Sequence, residues 1–248
     1  MKPDAAAPTP GCAIDINGSF LFSVPSGGTG YSAADLCAPE TALALLEPFL
    51  RLNEGGDRAA VISMWSQWYF ALLLAPWTRI ALLHDWRLPA DPRAIQFTQG
   101  AQSAVPEKFI LADRGAKIAG GVAIPALFGQ LLETHVLPVC RTFGQLAGIR
   151  PGLFWNNAAI RVAHGIDMAA EQGADTGEAR AFLATKILAD GAPNRLYQPV
   201  RVVEHDAGPK IIRRLCCLRY KLSGLEYCPS CPLLVAQERK CRHREQQG

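Results

Sequence analysis

Hydrophobic residues recur at the spacing of an α-helix over most of this chain. Residues 59–76 show the pattern clearly, because Trp65, Tyr69 and Leu72 fall on one face of a helix. The pattern predicts helices over residues 33–52, 59–76, 77–86, 124–146, 152–172 and 177–190, and a terminal helix from Pro232. Prolines inside two of these segments predict kinks or restarts at Pro39, Pro48 and Pro138.

Short apolar runs between turn residues predict a smaller β component. Two strands at residues 94–97 and 108–112 are predicted to pair with each other. Residues 196–204 and 210–220 are predicted to form a hairpin that delivers the cysteines near the C-terminus. The fold class expected from the sequence is therefore α+β, mainly α-helical with a small antiparallel sheet and a C-terminal lobe.

One segment is apolar enough to raise the question of a membrane. Residues 59–78 carry no charge over twenty positions, which is the length that crosses a bilayer core. Ser63, Ser66 and Pro76 interrupt it, and its helical stripe favours a buried core helix. Peripheral or spanning contact with a membrane is the alternative.

Composition and charge narrow the class of protein. The chain has 248 residues, of which 49% are apolar, so it can fill a substantial core. Its formal net charge of +3 is too small to indicate a nucleic-acid partner. The first residues lack the basic and apolar regions of a secretory signal, so we expect a flexible leader at 1–17 and a cytoplasmic protein.

Four of the eight cysteines lie within sixteen residues, in the pattern Cys-Cys-x10-Cys-x2-Cys. They are Cys216, Cys217, Cys228 and Cys231. Four thiolates are what a tetrahedral zinc ion or an iron–sulfur cluster requires. In the reducing compartment expected here, such a cluster of thiols is more typical of ligands than of disulfides.

The spacing bears on which metal would be bound. Cys228 and Cys231 have the spacing of two ligands on one metal, whereas the adjacent Cys216 and Cys217 do not. Two metals or an irregular backbone would accommodate the adjacent pair. A [2Fe-2S] cluster could be held with Cys228 and Cys231 on one iron and Cys216 and Cys217 on the other. Zinc, disulfides and free thiols stay open on spacing alone.

The segments Cys-Cys-Leu-Arg-Tyr and Cys-Pro-Ser-Cys-Pro-Leu resemble the [2Fe-2S] motif of the FhuF-like siderophore ferric-iron reductases. The resemblance implies a [2Fe-2S] cluster bound by Cys216, Cys217, Cys228 and Cys231. It also implies a mainly helical siderophore-binding domain at residues 18–208 and a cluster-binding segment at 209–248.

A second resemblance concerns the substrate. Trp155-Asn156-Asn157 is similar to the Trp-x-Asn segment of the same family. This implies that the Asn157 amide donates to a ligand carbonyl and that Trp155 forms an aromatic wall. A helix N-cap asparagine and a core tryptophan are the alternative interpretation.

Basic residues surround the predicted cluster. Arg213, Arg214 and Lys221 are candidates for docking an acidic electron donor, and Arg219 for binding the substrate. Further basic residues extend the charge at Arg239, Lys240, Arg242 and Arg244. A solvated charged face is the simpler alternative.

The other candidate residues have weaker patterns. His135, His164 and His205 have no partner at ligand spacing, so they are expected to be ordinary histidines. The remaining cysteines are expected to be structural thiols or, for the last, a spare ligand; they are Cys12, Cys37, Cys140 and Cys241.

No nucleotide-binding fingerprint is present. The run Gly27-Gly28-Thr29-Gly30 lacks the Lys-Ser/Thr pair of a phosphate-binding loop. We therefore expect electrons from another protein, such as a ferredoxin or a flavoprotein reductase. The family resemblance implies a ferric-siderophore reductase that acts on a hydroxamate type of chelate and releases Fe(II) in the cytoplasm. A four-cysteine zinc or iron–sulfur sensor without reductase activity is the alternative.

Overall fold

The computed structural model describes residues 16, 18–121, 123–205 and 208–245. The α-helices there are α1 (Pro39–Leu52), α2 (Arg58–His84), α3 (Ile124–Leu131), α4 (Leu137–Ala147), α5 (Gly152–Glu171), α6 (Gly177–Ala184) and α7 (Pro232–Glu245). The strands are β1 (Tyr31–Ser32), β2 (Trp86–Arg87), β3 (Ile95–Gln99), β4 (Pro106–Leu111), β5 (Ala116–Lys117), β6 (Val200–Val203) and β7 (Lys210–Arg213). The predicted α+β class, mainly helical with small antiparallel sheets, is confirmed.

Some sequence predictions fall on residues or side chains that the structure does not describe. They are most of the leader at 1–17, which includes Cys12, and the side chains of Arg239, Lys240, Cys241, Arg242 and Arg244.

The apolar segment that raised the membrane question is the central helix of the fold. The sequence predicted two helices that meet at Pro76, whereas α2 continues through this proline to His84. Trp65, Tyr69 and Trp77 are fully buried, so packing on several sides holds the helix together despite the missing N–H of the proline. Although α2 is long and apolar enough to span a bilayer, 61% of its most apolar window lies buried inside the fold.

Helix α5 lies parallel to α2 and forms the largest contact between two elements of the described chain. At one end Asn157 contacts Ser63 and Ser66 of α2, and further along Gly165 contacts Ala75. A methyl group on Gly165 would lie 2.5 Å from the carbonyl oxygen of Ala75, so only glycine permits this approach. The two helices therefore form the frame on which the remaining elements pack.

The main sheet covers one side of this frame. Strands β1, β3 and β4 form it in that order, and the predicted β3–β4 pair is confirmed with Phe97 opposite Phe109. Both rings contact Tyr69 of α2 at centroid distances of 5.6 and 5.2 Å. The two-residue strands β1, β2 and β5 were not predicted, because so short a segment has no readable alternation.

Two helices depart from their prediction for local reasons. The segment 124–146 is helical throughout, as predicted, but a π-helical turn at Leu132–Val136 joins α3 to α4. Pro138 follows this turn, and its missing N–H explains why the regular ladder is interrupted there. Helix α6 ends at Ala184 rather than near residue 190, because the side chain of Asn194 bonds the carbonyl oxygens of Phe182 and Thr185 at its end.

The C-terminal hairpin is present but shorter than predicted. Strand β6 pairs with β7 from Val200 opposite Arg213 to Val203 opposite Lys210. The chain then leaves the strand directly before the cysteines. Leu222, which follows the first two cysteines, is buried in the same apolar core as α2, and the division into a domain at 18–208 and a segment from 209 stays a prediction.

Candidate metal centre

The four clustered cysteines meet in two close pairs just beyond β7. The sulfur of Cys216 lies 3.8 Å from that of Cys231, and the sulfur of Cys217 lies 3.8 Å from that of Cys228. All four cysteines are free thiols in this structure. The pairs join the two halves of the motif crosswise, whereas the spacing suggested that Cys216 pairs with Cys217 and Cys228 with Cys231. The side chains of Cys216 and Cys217 also hydrogen-bond each other.

These distances fit a metal cluster with two ligands on each metal. Two thiolates on one tetrahedral metal with bonds of about 2.3 Å are separated by about 3.8 Å. Two such pairs, Cys216 with Cys231 and Cys217 with Cys228, match a cluster that contains two metals.

An irregular backbone explains how adjacent cysteines reach the same centre. Leu218 adopts a left-handed conformation with φ of 63°, which turns the chain sharply after Cys217. The N–H of Leu218 lies 3.4 Å from the sulfur of Cys216, within reach of a thiolate acceptor. On the other side of the site, the N–H of Cys231 donates to the carbonyl oxygen of Cys228 at 2.9 Å and closes a tight turn.

The environment favours a thiolate at Cys217. Hydrogen bonds with Cys216 and Cys228, the N–H of Arg219 and the positive charge of Arg213 hold the pKa of Cys217 well below its usual value. Thiolates are the form that binds metal. The site thus favours the thiolate at Cys217, while the hydrogen bonds with this thiolate raise the pKa of Cys216 and of Cys228, which keep their protons.

Arg213 lies inside the protein next to this site. Its side chain is 5% exposed, and it donates hydrogen bonds to the side-chain oxygens of Asn157 and Gln67. Both acceptors are neutral, its Nε has no acceptor, and no carboxylate pairs with it among the described residues. A buried cation without a counter-ion is costly, and a negatively charged metal–thiolate centre would supply the missing charge.

Asn157 connects Arg213 to the central helix. Its amide nitrogen lies 2.9 Å from Oγ of Ser66 and 3.1 Å from Oγ of Ser63. The hydroxyl of Ser63 in turn donates to the carbonyl oxygen of Cys217 at 2.8 Å. This buried polar network fixes residues 216–231, here called the cysteine loop, to α2 and α5. Asn157 therefore holds the site together from inside, and it does not line either of the cavities described below, as its predicted contact with substrate would require.

Asn156 is a site residue that the sequence analysis missed. Its side-chain oxygen accepts the N–H of Leu215 at 3.1 Å, and its amide donates to the carbonyl oxygen of Pro199 at 2.8 Å. It thus holds the residue just before Cys216 and the start of β6. The sequence signal for this role was a pair of adjacent asparagines in an apolar helix. Adjacent side chains point in different directions from a helix, so both are buried only where other elements pack around it, and buried amides need hydrogen-bond partners.

Lys221 is occupied by an ion pair. Its Nζ lies 2.6 Å from Oδ2 of Asp57, the residue that caps α2 by accepting the N–H of Ala60. This contact joins the turn after the adjacent cysteines to the N-terminus of α2. Arg219 is half-buried, and its Nε has no acceptor within the described ranges. The proposed contacts of Lys221 with a donor and of Arg219 with substrate stay predictions, whereas burial leaves Arg213 unavailable to a docking protein.

Two cavities share a residue of α5, and the first of them lies beside the cysteine loop. The first, of about 370 Å³, is lined by Arg214 and Leu215 and by Trp155 of α5. The second, of about 740 Å³, lies between α6 and the π-helical turn and shares Trp155 and Arg195 with the first. Trp155 lines both cavities and belongs to the core, and its role as an aromatic wall for substrate stays a prediction. The structure assigns Arg214 to the first cavity.

The other candidate residues lie away from this centre. His135 is fully buried and its Nε2 lies 2.6 Å from the hydroxyl of Tyr69. His205 bonds Glu238 of α7 at 3.1 Å. Burial raises the pKa of Cys37 to about 11 and that of Cys140 well above its usual value. Cys140 is a buried core thiol, and Cys37 is a partly buried thiol packed against the core.

Comparisons with known proteins agree with this geometry. The family model described as "Ferric iron reductase FhuF-like transporter" matches residues 63–210, and the model described as "FhuF 2Fe-2S C-terminal domain" matches residues 213–233. A curated relative, the "Ferric siderophore reductase" of Escherichia coli (strain K12), is 26% identical over 182 residues, which is 71% of this chain and 67% of the relative. The matched C-terminal segment contains all four clustered cysteines.

Proposed function

Because the chain belongs to the FhuF-like ferric iron reductase family and its C-terminal segment is a [2Fe-2S] domain, we propose that it reduces ferric siderophores. The observation that carries the proposal is the crosswise pairing of four thiols, at 3.8 Å within each pair, beside a cavity. The relative's name supports the substrate class.

We assign Cys216, Cys217, Cys228 and Cys231 as the cluster ligands. A [2Fe-2S] cluster bound there supplies one-electron transfer. The protein's own residues hold the loop in place through Asn156, Asn157 and Ser63, and Arg213 offsets the negative charge of the thiolates. Leu215 and the first cavity lie directly before Cys216, so a chelate bound there would be close to the centre.

One electron is sufficient for iron release. Hydroxamate and catecholate oxygens are hard donors that hold Fe(III) tightly and Fe(II) much more weakly. One electron converts the chelated Fe(III) to Fe(II), and the donor protein loses one electron. The organic ligand stays intact, so the site needs neither a nucleophile nor an acid–base pair.

The electron donor is proposed to be a second protein in the cytoplasm, a ferredoxin or a flavoprotein reductase. The sequence has no dinucleotide fingerprint that would let NADH bind directly. Leu215 and Leu233, at 42% and 39% exposure, lie on either side of the ligand segment and offer apolar contact to such a donor. Arg214 adds an exposed positive charge at the same face.

Anaerobic mixing tests the function. Protein reduced with dithionite and then desalted is mixed with a ferric trihydroxamate, while the visible absorbance of the cluster and a ferrous-selective trap are followed. We expect reoxidation of the cluster and appearance of one Fe(II) per electron lost. NADH alone is expected to leave the oxidised protein unchanged.

Two serine variants serve as matched controls. Cys228→Ser should lose the visible spectrum and the turnover, whereas Cys140→Ser should keep both, since Cys140 is a buried thiol of α4. If the wild-type cluster stays reduced with every hydroxamate and catecholate chelate, the protein is a cluster-binding sensor and not a reductase.

A further inference from the structure

A third cavity, here called the groove cavity, lies along the contact between α2 and α5. It begins one helical turn beyond the two acceptors of Arg213, because Ala71 and Arg161 follow Gln67 and Asn157 by four residues each. Its volume of about 340 Å³ falls within the range of small-molecule sites, roughly 300–1,000 Å³. It shares no lining residue with the two cavities described above.

Basic side chains from two elements line the groove cavity. Arg161 and His164 belong to α5, and Lys108 belongs to β4. Neither Arg161 nor Lys108 forms an ion pair within the described residues. Glu107 is the one carboxylate among the lining residues that the structure describes. The cavity therefore has an excess of positive charge without a counter-ion in that part of the chain.

Arg161 is the side chain that gains most from a bound anion. It is half-buried, and its pKa is lowered by burial and by the positive charge of Arg213. A partly desolvated guanidinium is costly unless hydrogen bonds and an opposite charge compensate it. Because both acceptors of Arg213 are neutral, the neighbouring arginine repels Arg161 in full. An anion in the cavity would stabilise the charged form of Arg161.

A hydroxyl group adds a donor to the same cavity. Oγ of Ser19 accepts a hydrogen bond from Nη2 of Arg79 at 3.2 Å, so the proton of the hydroxyl is left for another acceptor. Arg79 forms no ion pair in the described part of the chain, and its charge lies directly behind Ser19. Leu72, Phe109 and Met168 contribute apolar wall. The lining thus combines cations, a hydroxyl donor and apolar surface.

We propose that the groove cavity binds a small phosphate monoester. A phosphate monoester carries about two negative charges near neutral pH, which Arg161 and Lys108 balance. The guanidinium and the Ser19 hydroxyl donate to phosphate oxygens, and the apolar wall takes the organic part of the ligand. Glu107 accepts a hydrogen bond from a hydroxyl group on that part. No bond of the ligand is made or broken.

Occupation of the groove cavity also acts on the candidate metal centre. Arg161 lies about 6 Å along α5 from Asn157, which bonds Arg213 beside the cysteines. Negative charge at Arg161 therefore opposes the addition of an electron to the cluster assigned above, and the phosphate ester binds the oxidised protein more tightly than the reduced protein. We expect a threefold difference in affinity, which corresponds to a decrease of about 30 mV in the reduction potential.

Calorimetric titrations of the full chain with its cluster test the binding. The probes are glycerol 2-phosphate, inorganic phosphate and succinate, at constant ionic strength with chloride as the balancing anion. We expect one glycerol 2-phosphate per chain and about fivefold weaker binding of inorganic phosphate, which lacks the organic part. Succinate has a similar charge without a phosphate group and should bind more weakly still. Equal affinities for succinate and the ester would overturn the assignment to a phosphate.

Variants of the lining residues identify the site. Arg161→Gln should weaken the ester about tenfold, the size of one charge-assisted hydrogen bond, whereas Arg161→Lys should recover part of this loss. Glu107→Gln removes a repulsive charge and should bind the ester several-fold more tightly than wild type. Arg141→Gln, at an exposed arginine of α4 outside this cavity, is the matched control and should bind as wild type. The Tm and the visible absorbance of each variant show that the fold and the cluster are retained.

The remaining outcomes are measured without a ferric chelate, so they are independent of the proposed reductase function. Absence of saturable binding, or equal affinities of wild type and Arg161→Gln, would overturn the groove cavity as a phosphate site. Redox titrations with and without saturating glycerol 2-phosphate test the coupling, and Arg161→Gln should lose the shift. An unchanged wild-type potential in the presence of bound ester would overturn the coupling to the metal centre.

Discussion

The buried guanidinium of Arg213 donates a hydrogen bond to the side-chain oxygen of Asn157. Because the acceptor is an amide and not a carboxylate, this contact satisfies a donor of Arg213 without neutralising its charge. The positive charge therefore stays next to the cysteines, where it adds to the hydrogen bonds from Cys216 and Cys228 that lower the pKa of Cys217. An arginine in this position acts on the centre through its charge while remaining hidden from solvent.

Arg213→Gln is expected to lower the reduction potential of the cluster by on the order of 100 mV. Removal of a positive charge makes the added electron less favourable, and a unit charge a few ångströms away at an effective dielectric of about 20 contributes a few kcal/mol. About 59 mV corresponds to each tenfold change in a one-electron equilibrium. The measurement is a redox titration followed by visible absorbance, after iron and sulfide content show that the cluster is present.

Two further substitutions serve as controls for this potential. Arg213→Lys keeps the charge and should restore most of the wild-type value, whereas Asn157→Asp places a negative charge against Arg213 and should lower the potential without removing the arginine. Identical potentials for the Gln and Lys variants would mean that Arg213 has only a packing role.

Asp57 should contribute to stability mainly as a helix cap. Its side chain accepts the N–H of Ala60 and pairs with Lys221 at the surface. Asp57→Ala loses both contacts and should lower the free energy of unfolding by about 1 kcal/mol. Asp57→Asn keeps a capping oxygen and loses only an exposed ion pair, so its cost should be smaller. Urea unfolding at neutral pH measures both, and equal losses would show that the ion pair dominates.

His135 should make the protein less stable at mildly acidic pH. Burial lowers its pKa from 6.5 to about 4, so the folded protein holds it neutral while the unfolded chain takes up a proton. The neutral form's contribution is complete above the unfolded pKa and is lost as the pH falls from about 6.5 towards 4, with about 2 kcal/mol gone by pH 5. Unfolding at pH 7 and pH 5 measures the loss. His135→Gln cannot be protonated and should remove most of it; an unchanged pH dependence would assign the loss to other groups.

Metal removal should separate the ligand thiols from the core thiols. Because burial and nearby carboxylates raise the pKa of Cys37 to about 11, only about 0.1% of it is thiolate at pH 8, and Cys140 is raised further by full burial. Iodoacetamide should therefore leave both unmodified in the folded protein. After chelation of the iron under reducing conditions, the four clustered cysteines should become modified, as mass spectrometry of peptides would show. Early modification of Cys37 in the intact protein would contradict its burial.

The elements with a strong helical period were predictable, and their limits depended on partners elsewhere. The stripe of α5 predicted its bounds almost to the residue. Pro76 suggested a break in α2, yet packing against the sheet and α5 keeps that helix continuous. The end of α6 depends on Asn194, whose bonds to Phe182 and Thr185 cannot be read from the periodicity of α6.

The ligand motif could be predicted from the sequence because its four cysteines are close together in it. The positions of the surrounding arginines in the fold could not be predicted. Arg213 is separated by 146 residues from Gln67 and by 56 from Asn157, so its burial depends on three distant segments meeting. Charged residues are rarely buried, and a sequence pattern alone therefore assigns such an arginine to the surface. The crosswise pairing of the sulfurs likewise depends on the turn at Leu218.

Gly165 has a consequence for the cluster although it touches no ligand. It lies about 12 Å along α5 from Asn157, and a methyl group there would collide with the backbone of α2 at Ala75. Helices α2 and α5 would have to slide or separate. This displacement would move Asn156 and Asn157, whose hydrogen bonds hold the cysteine loop. A random-mutagenesis screen for protein without visible cluster absorbance should therefore find substitutions in the contact between α2 and α5. Gly165→Ala should be among the soluble variants with the lowest cluster absorbance per chain.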